Sequence, residues 1–333
     1  MNAWLIEGIN PAETVPGILV SHDPLVYLLG LNTGSTGPGL LRHDAFLDTK
    51  VKHFFFVNPM WTLTGAAFRA QVVDRLNSAA VNFPQHTYVL LVNDPDDISI
   101  KETLDPSIAV YVCGEHALAS TDIFQHNPVS RRYDAVYIAQ NHAGKRIDLA
   151  CKIDTVCLIS RGFSSVDAEA KAALFRTLYC PNITIGDLVA EQVAEFLNAS
   201  GVGLILSERE GQNRATIEYL LCGLPVVTTA NVGGRDRFLV PANSIYTLPD
   251  PQTIADAVSY VIRSDFDRQA VAQLATQSVH RERKWLSHIV DSTLESHGYR
   301  PIDIASKPLP HHGFSRSRSM ADFLNQRFKA LAN

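Results

Sequence analysis

Between Val202 and Gly234 the chain reads Val-Gly-Leu-Ile-Leu-Ser-Glu-Arg-Glu-Gly-Gln-Asn-Arg-Ala-Thr-Ile-Glu-Tyr-Leu-Leu-Cys-Gly-Leu-Pro-Val-Val-Thr-Thr-Ala-Asn-Val-Gly-Gly, and no other stretch restricts the fold as much. Val202 to Leu206 is an unbroken apolar run, the pattern of a strand covered on both faces in a parallel sheet. Glu210-Gly211 interrupts it, and a glycine there lets the main chain turn tightly and approach a ligand. Asn213 is placed to cap a helix whose apolar spacing continues through Ala215, Ile217, Leu220 and Leu221. Gly223 fits the position just past a helix end, and Pro225 opens a second strand. A helix start offers unpaired N–H groups and partial positive charge to an anion, worth about 0.3–1 kcal/mol and up to about 2 when partly buried. Glu210 precedes the helix and Glu218 lies one to two turns along it, so the two carboxylates can meet different parts of one elongated ligand. Two Glu on a loop and a helix are ordinarily a solvated face; their place at a sheet edge between glycines argues otherwise.

The segments before this stretch extend the same pattern. Strands are expected at Ala135–Ala139, Val156–Ser160 and, shorter, Ile183–Ile185, alternating with helices near Lys145–Lys152, Val166–Leu178 and Asp187–Leu197. Such alternation predicts a parallel sheet with right-handed crossovers, and ligands of such sheets sit outside the carboxyl ends of the strands. The first part of the chain alternates less cleanly. Its expected strands are Ile18–Val20, Leu25–Leu29, His53–Val57, Thr87–Val92 and Ile108–Cys113, with a helix over Gly65–Val81. The glycine-rich Asn32–Gly39 follows a strand and reads either as part of a ligand cleft or as a surface loop. Asp250-Pro251 marks a helix start, and Phe266 to about Glu295 reads as helical. A length of 333 residues suits two domains. The expected organisation is 1–128, 129–290, and a tail over 291–333 that packs back on the first domain.

Composition removes several function classes. A net charge of -5 and a pI near 6.2 supply no basic field for nucleic acid. The five cysteines form no Cys-x-x-Cys pair and read as free thiols of a reducing, cytoplasmic compartment. Neither a signal peptide nor an apolar run of membrane-spanning length is visible. No Walker loop or dinucleotide fingerprint follows any strand, which argues against a dehydrogenase. Asp94-Pro-Asp96-Asp97 reads as a turn rather than a metal site.

The ordered set Ser207, Glu210, Gly211, Glu218, Gly223, Pro225, Val226, Val227, Gly233 and Gly234 resembles the donor-binding segment of retaining nucleotide-sugar glycosyltransferases of GT-B fold, glycosyltransferase family 4 above all. The resemblance covers roughly residues 130–265 and fades before that. It implies an α/β chain of two Rossmann-like domains with parallel sheets facing an interdomain cleft. It implies that a sugar moves from a nucleotide donor, an NDP-hexose or alternatively a CMP-sugar, to a hydroxyl of a glycan or glycolipid, without a metal or other cofactor. Carried over by position, Glu218 would hold the ribose hydroxyls and Glu210 would lie near the transferred sugar. Backbone N–H groups at Gly211, Gln212 and Asn213, with Lys145, would face the donor phosphates. The family has a second phosphate-binding Arg where this chain has Gln140, and Arg146 or Arg214 could replace that charge. An N-domain histidine often faces the donor sugar in this family, and His116, just past a strand end, is the candidate. Two alternatives remain, a nucleotide-sugar epimerase of the same fold and a noncatalytic nucleotide- or glycan-binding subunit. The basic Ser315-Arg-Ser-Arg-Ser offers a peripheral contact to an anionic membrane surface.

Overall fold

A computed structural model describes residues 10, 13–31, 39–186, 188–264, 266–311, 314 and 317–331. The chain divides into two compact units, Met1–Ala119 with His280–Asn333, and Ser120–Val279. Of the glycine-rich loop, residues 32–38 lie outside the described residues, as do 315 and 316 of the basic segment and the side chains of 317 and 318.

The first unit opens with β1 (Thr14–His22) and β2 (Leu25–Gly30), an antiparallel pair. A short α1 (Asp44–Leu47) leads to β3 (His53–Asn58), α2 (Ala66–Asn82) to β4 (Thr87–Val92), and a 3-10 segment to β5 (Ala109–Val112). From β2 to β5 the strands are parallel and neighbours in chain order. Right-handed crossovers between strands that always step the same way place every connection on one face. That face holds Tyr27, Leu29, Phe55, Val57, Leu90 and Val92 beneath Leu41, Phe46, Val72 and Leu76. The alternate residues, Val26, Leu28, Phe54, Phe56, Val89 and Leu91, need another cover, and the chain supplies it from Leu286, Ile289, Val290, Leu294 and Phe314. A sheet wound in one sense thus makes this unit discontinuous in sequence.

The second unit is an all-parallel sheet. β6 (Tyr133–Ile138), β7 (Val156–Ile159), α3 (Ser165–Ala172) and β8 (Leu178–Tyr179) come first. Then follow α4 (Pro181–Ile185), α5 (Ala190–Asn198), β9 (Ser200–Ile205), α6 (Arg214–Leu221), β10 (Val226–Thr229), β11 (Ser244–Thr247) and α7 (Pro251–Arg263). The strand order is β11-β10-β9-β6-β7-β8. This is the doubly wound arrangement whose winding reverses between β6 and β9. Val202, Leu204, Tyr137, Leu158 and Val227 pack on one face with Ile254, Val258 and Val261 of α7. α8 (Arg268–Ser296) begins in this unit, and its residues from His280 belong to the first. There β12 (Ser317–Ser319) pairs antiparallel with β1, and α9 (Met320–Leu331) adds Met320, Phe323 and Leu324 to the first core.

Three local expectations are corrected. Residues 143–150 form two 3-10 turns, Ala143–Lys145 and Ile147–Ala150, instead of a helix, because Arg146 between them adopts a left-handed conformation with φ 50°. The short strand lies at Leu178–Tyr179, and Ile183–Ile185 closes a helix begun by Pro181 at its first position, where a missing N–H costs nothing. The helix expected to reach Leu178 therefore stops at Ala172.

Candidate functional site

In a doubly wound sheet the winding reversal is where ligands characteristically enter. At the carboxyl ends of β6 and β9 the adjoining connections leave toward opposite faces and open a crevice. The turn carrying Lys145 and Arg146 follows β6, and Ser207 to Asn213 follow β9. Position along the sheet thus brings together residues more than sixty apart in sequence.

α6 is seated over this crevice by close packing. A side chain at Gly203 of β9 would run into the ring of Tyr219, which is fully buried. The Tyr219 hydroxyl in turn accepts the Ile138 N–H at the end of β6, at 2.6 Å. At the far end of the helix, the Gly223 N–H reaches the Leu220 carbonyl and the Leu224 N–H the Tyr219 carbonyl, each at 2.9 Å. Gly223 sits at φ 71°, the left-handed closure the sequence predicts. The start is capped as expected, with Asn213 Oδ1 accepting the Ala215 N–H at 2.8 Å. Its amide nitrogen donates to Glu210 Oε2 at 2.9 Å, so one side chain ties the helix start to the carboxylate.

Glu210 is 6% exposed and satisfied on both oxygens. Lys145 Nζ pairs with Oε1, and the Ser207 hydroxyl and Asn213 amide donate to Oε2. The backbone carrying Lys145 is held as well: the buried Tyr137 hydroxyl donates to the Lys145 carbonyl and accepts the Leu206 N–H at 3.3 Å. Burial raises the Tyr137 phenol well above its ordinary range, so it remains a donor at neutral pH. Glu218 is also 6% exposed and lies on α6. Gln212 and Asn213 are buried beside Glu210, and Arg214 is half-buried at the first residue of the helix.

Two arginines brace the strand ends. Arg146 donates from Nε to the Leu206 carbonyl at 2.5 Å and from Nη2 to Thr229 Oγ1 at 2.7 Å. Arg235 is wholly buried. It reaches the Ser207 and Thr229 carbonyls, Thr228 Oγ1 at 2.9 Å and, from Nε, Asp236 Oδ1 at 2.6 Å.

Of the residues singled out from sequence, Lys145, Glu210, Gly211, Gln212, Asn213, Arg214, Arg146 and Glu218 all belong to this edge of the second unit. Lys145 ends a 3-10 turn, so no α-helix dipole opposes it. Gln140 is exposed at the end of β6. His116 belongs to the first unit, in the 3-10 turn Glu115–Leu118 after β5, where it is buried. Asp94 caps the 3-10 segment after β4, and Asp97 accepts the Leu63 N–H at 3.3 Å. Among the described residues, no group of three His, Cys, Asp or Glu is arranged to hold a metal ion. Arg235 and Tyr137 have no site role in the sequence reading. An Arg-Asp pair directly after the Gly-Gly turn was the available signal for the first.

Residues 135–264 match the family model described as Glycosyl transferases group 1. No curated protein matches the chain. Among solved structures, sucrose-phosphate synthase from Thermosynechococcus elongatus is similar at 15% identity, with 73% of this chain and 67% of that one covered and a TM-score of 0.52. HepE of Anabaena in complex with UDP-glucose gives 15% identity, 72% of each chain and a TM-score of 0.55. The UDP-forming α,α-trehalose-phosphate synthase of Burkholderia vietnamiensis gives 13% identity, 80% of this chain, 74% of that one and a TM-score of 0.52. At these identities the likeness speaks for the fold, an α/β chain of GT-B class with two parallel-strand sheets.

Proposed function

For a chain whose residues 135–264 match the group 1 glycosyltransferase model, we propose a retaining sugar transfer from a nucleotide-sugar donor to a hydroxyl of a glycan or glycolipid acceptor. The observation that carries this reading is the Lys145–Glu210 pair at the winding reversal, directly before the start of α6. A cation, an N–H-lined helix start and buried carboxylates within one crevice suit a ligand with a phosphate at one end and hydroxyls at the other. UDP is the first nucleotide to consider, because HepE and the trehalose-phosphate synthase above are described with UDP-glucose and as UDP-forming.

In this reading the diphosphate draws Lys145 from Glu210. The carboxylate keeps Ser207 and Asn213 as donors and turns its released oxygen to a sugar hydroxyl. Glu218 accepts from the ribose. As the bond to the departing phosphate breaks, charge grows on its oxygens. Lys145 and the N–H groups around Gly211–Asn213 stabilise that charge most in the transition state, and they do so without a metal. Arg146 already binds two acceptors, and it braces the phosphate end more through the backbone than by contact. The five unpaired cysteines support a cytoplasmic setting. Among the described residues no helix is long and apolar enough to cross a membrane.

The test is calorimetry with UDP, GDP, ADP and CMP on the parent, Glu218→Ala and Lys145→Ala. Each lost charged hydrogen bond is worth about 1.5–3 kcal/mol, so the preferred nucleotide should bind each variant about ten- to a hundredfold more weakly. Folded variants that bind like the parent contradict the assignment.

A further inference from the structure

Arg235 has no exposed surface, yet it carries a full charge. A guanidinium in such a place is costly unless every donor finds an acceptor. Here all three nitrogens do. Nε and Nη2 meet the Asp236 carboxylate at 2.6 and 3.1 Å. Nη2 also reaches Thr228 Oγ1 at 2.9 Å and the Thr229 carbonyl at 2.5 Å. Nη1 donates to the Ser207 carbonyl and approaches the Ser207 hydroxyl oxygen at 3.4 Å. That same hydroxyl gives its proton to Glu210 Oε2. Glu210 in turn pairs with Lys145. Asp236 is fixed from outside by a hydrogen bond with Tyr246 on the edge strand β11.

We propose that Arg235 is a positioning residue for the transfer reaction: through Ser207 it sets the direction of the Glu210 carboxylate toward the reacting sugar. The proposal rests on the reading of this edge as a nucleotide-sugar site. Arg235 itself touches no ligand. It fixes the main chain at Ser207 from the β10 side and leaves the serine hydroxyl one rotamer in which to donate, because the guanidinium N–H lies against the oxygen and turns its proton toward the carboxylate. Without that direction, the Glu210 carboxylate could turn away from the reacting sugar while Lys145 still meets the phosphates.

Ser207→Ala, Arg235→Lys, their combination and the parent are compared for release of UDP from UDP-sugars and for calorimetric binding of UDP alone. UDP lacks the transferred sugar, so its affinity should change less than threefold. The kcat should fall at least tenfold in each single variant, and the double variant should be no slower than the worse single, since both act through one hydroxyl. Asp236→Asn, at a partly exposed position, loosens the same clamp and should lower kcat in the same direction if Arg235→Lys does not fold. Unchanged kcat in Ser207→Ala overturns the proposal. So does a double variant whose losses multiply, or an Arg235→Lys or Asp236→Asn variant that lowers only thermal stability. A parent that releases UDP from no UDP-sugar and binds no nucleotide removes the underlying reading as well. An active parent with indifferent variants removes only the role of Arg235.

Discussion

Single residues show most plainly where burial and charge conflict. Asp97 is 4% exposed and accepts one backbone N–H from Leu63. Desolvation pushes its carboxyl above the ordinary range, the Leu63 N–H pulls it back, and Asp94 and Asp96 push it up further. A carboxyl raised in the folded state favours folding most below its unfolded pKa, and that contribution is lost as pH rises through the folded value. Ionised Asp97 therefore opposes folding at neutral pH. Asp97→Asn keeps an oxygen for Leu63 and removes the charge, so its Tm should exceed the parent's at pH 7. The difference should shrink or reverse as pH falls below about 4, the usual carboxylate range. Thermal melts at both pH values check this, and a variant less stable at pH 7 than at low pH relative to the parent contradicts it. The residues of the candidate site were unequally visible in the sequence. Glu210 and Glu218 stand out by their place around a strand end and a helix together with the family resemblance, and Lys145 through that resemblance alone. Arg235 did not, since its partners are main-chain carbonyls of two strands that only the closed sheet brings together.

Elements whose signals are local were legible. The β9–α6–β10 unit announces itself by an apolar run, an N-cap and a glycine closure, and all three are present as expected. Elements decided from afar were not. The turn at 143–150 is held by the Tyr137 hydroxyl and by Arg146 reaching Leu206 and Thr229, 60 and 83 residues further along the chain. α4 is anchored by Asn182, whose amide donates to the Ser160 carbonyl on β7. Gly203 of β9 and Tyr219 of α6 meet so closely that a Cβ on the glycine would lie 2.4 Å from the ring. Gly203→Ala forces the ring, and with it α6, away from β9. Overpacking of this kind costs about 1–3 kcal/mol. Differential scanning calorimetry should show the loss, and nucleotide affinity should fall because the Ile138 N–H and the helix start move together. An alanine accepted without change in Tm would mean that α6 is not seated by this contact.

At the scale of the whole molecule the two units solve one problem differently. The first winds its strands in a single sense, presents an uncovered face, and needs the chain beyond His280 to close its core. The second reverses its winding between β6 and β9 and packs its own α5, α6 and α7 against its strands, and ligands of such sheets sit at the reversal. Length and the family resemblance point to two α/β units, and alternation of strands and helices to the parallel sheet of the second. The one-way order of the first was hidden, because strand order depends on which edges meet and not on the strands' own residues. We therefore propose that the nucleotide lies on the second unit, at one edge, with its phosphates at Lys145 and the start of α6 and its ribose at Glu218. A crystal structure of the protein with UDP tests this most directly. The account predicts the diphosphate within hydrogen-bonding distance of Lys145 Nζ and of main-chain N–H groups of Gly211–Asn213, with both ribose hydroxyls on the Glu218 carboxylate. UDP bound elsewhere, with Lys145 still paired to Glu210 and Glu218 out of reach of the ribose, would contradict it.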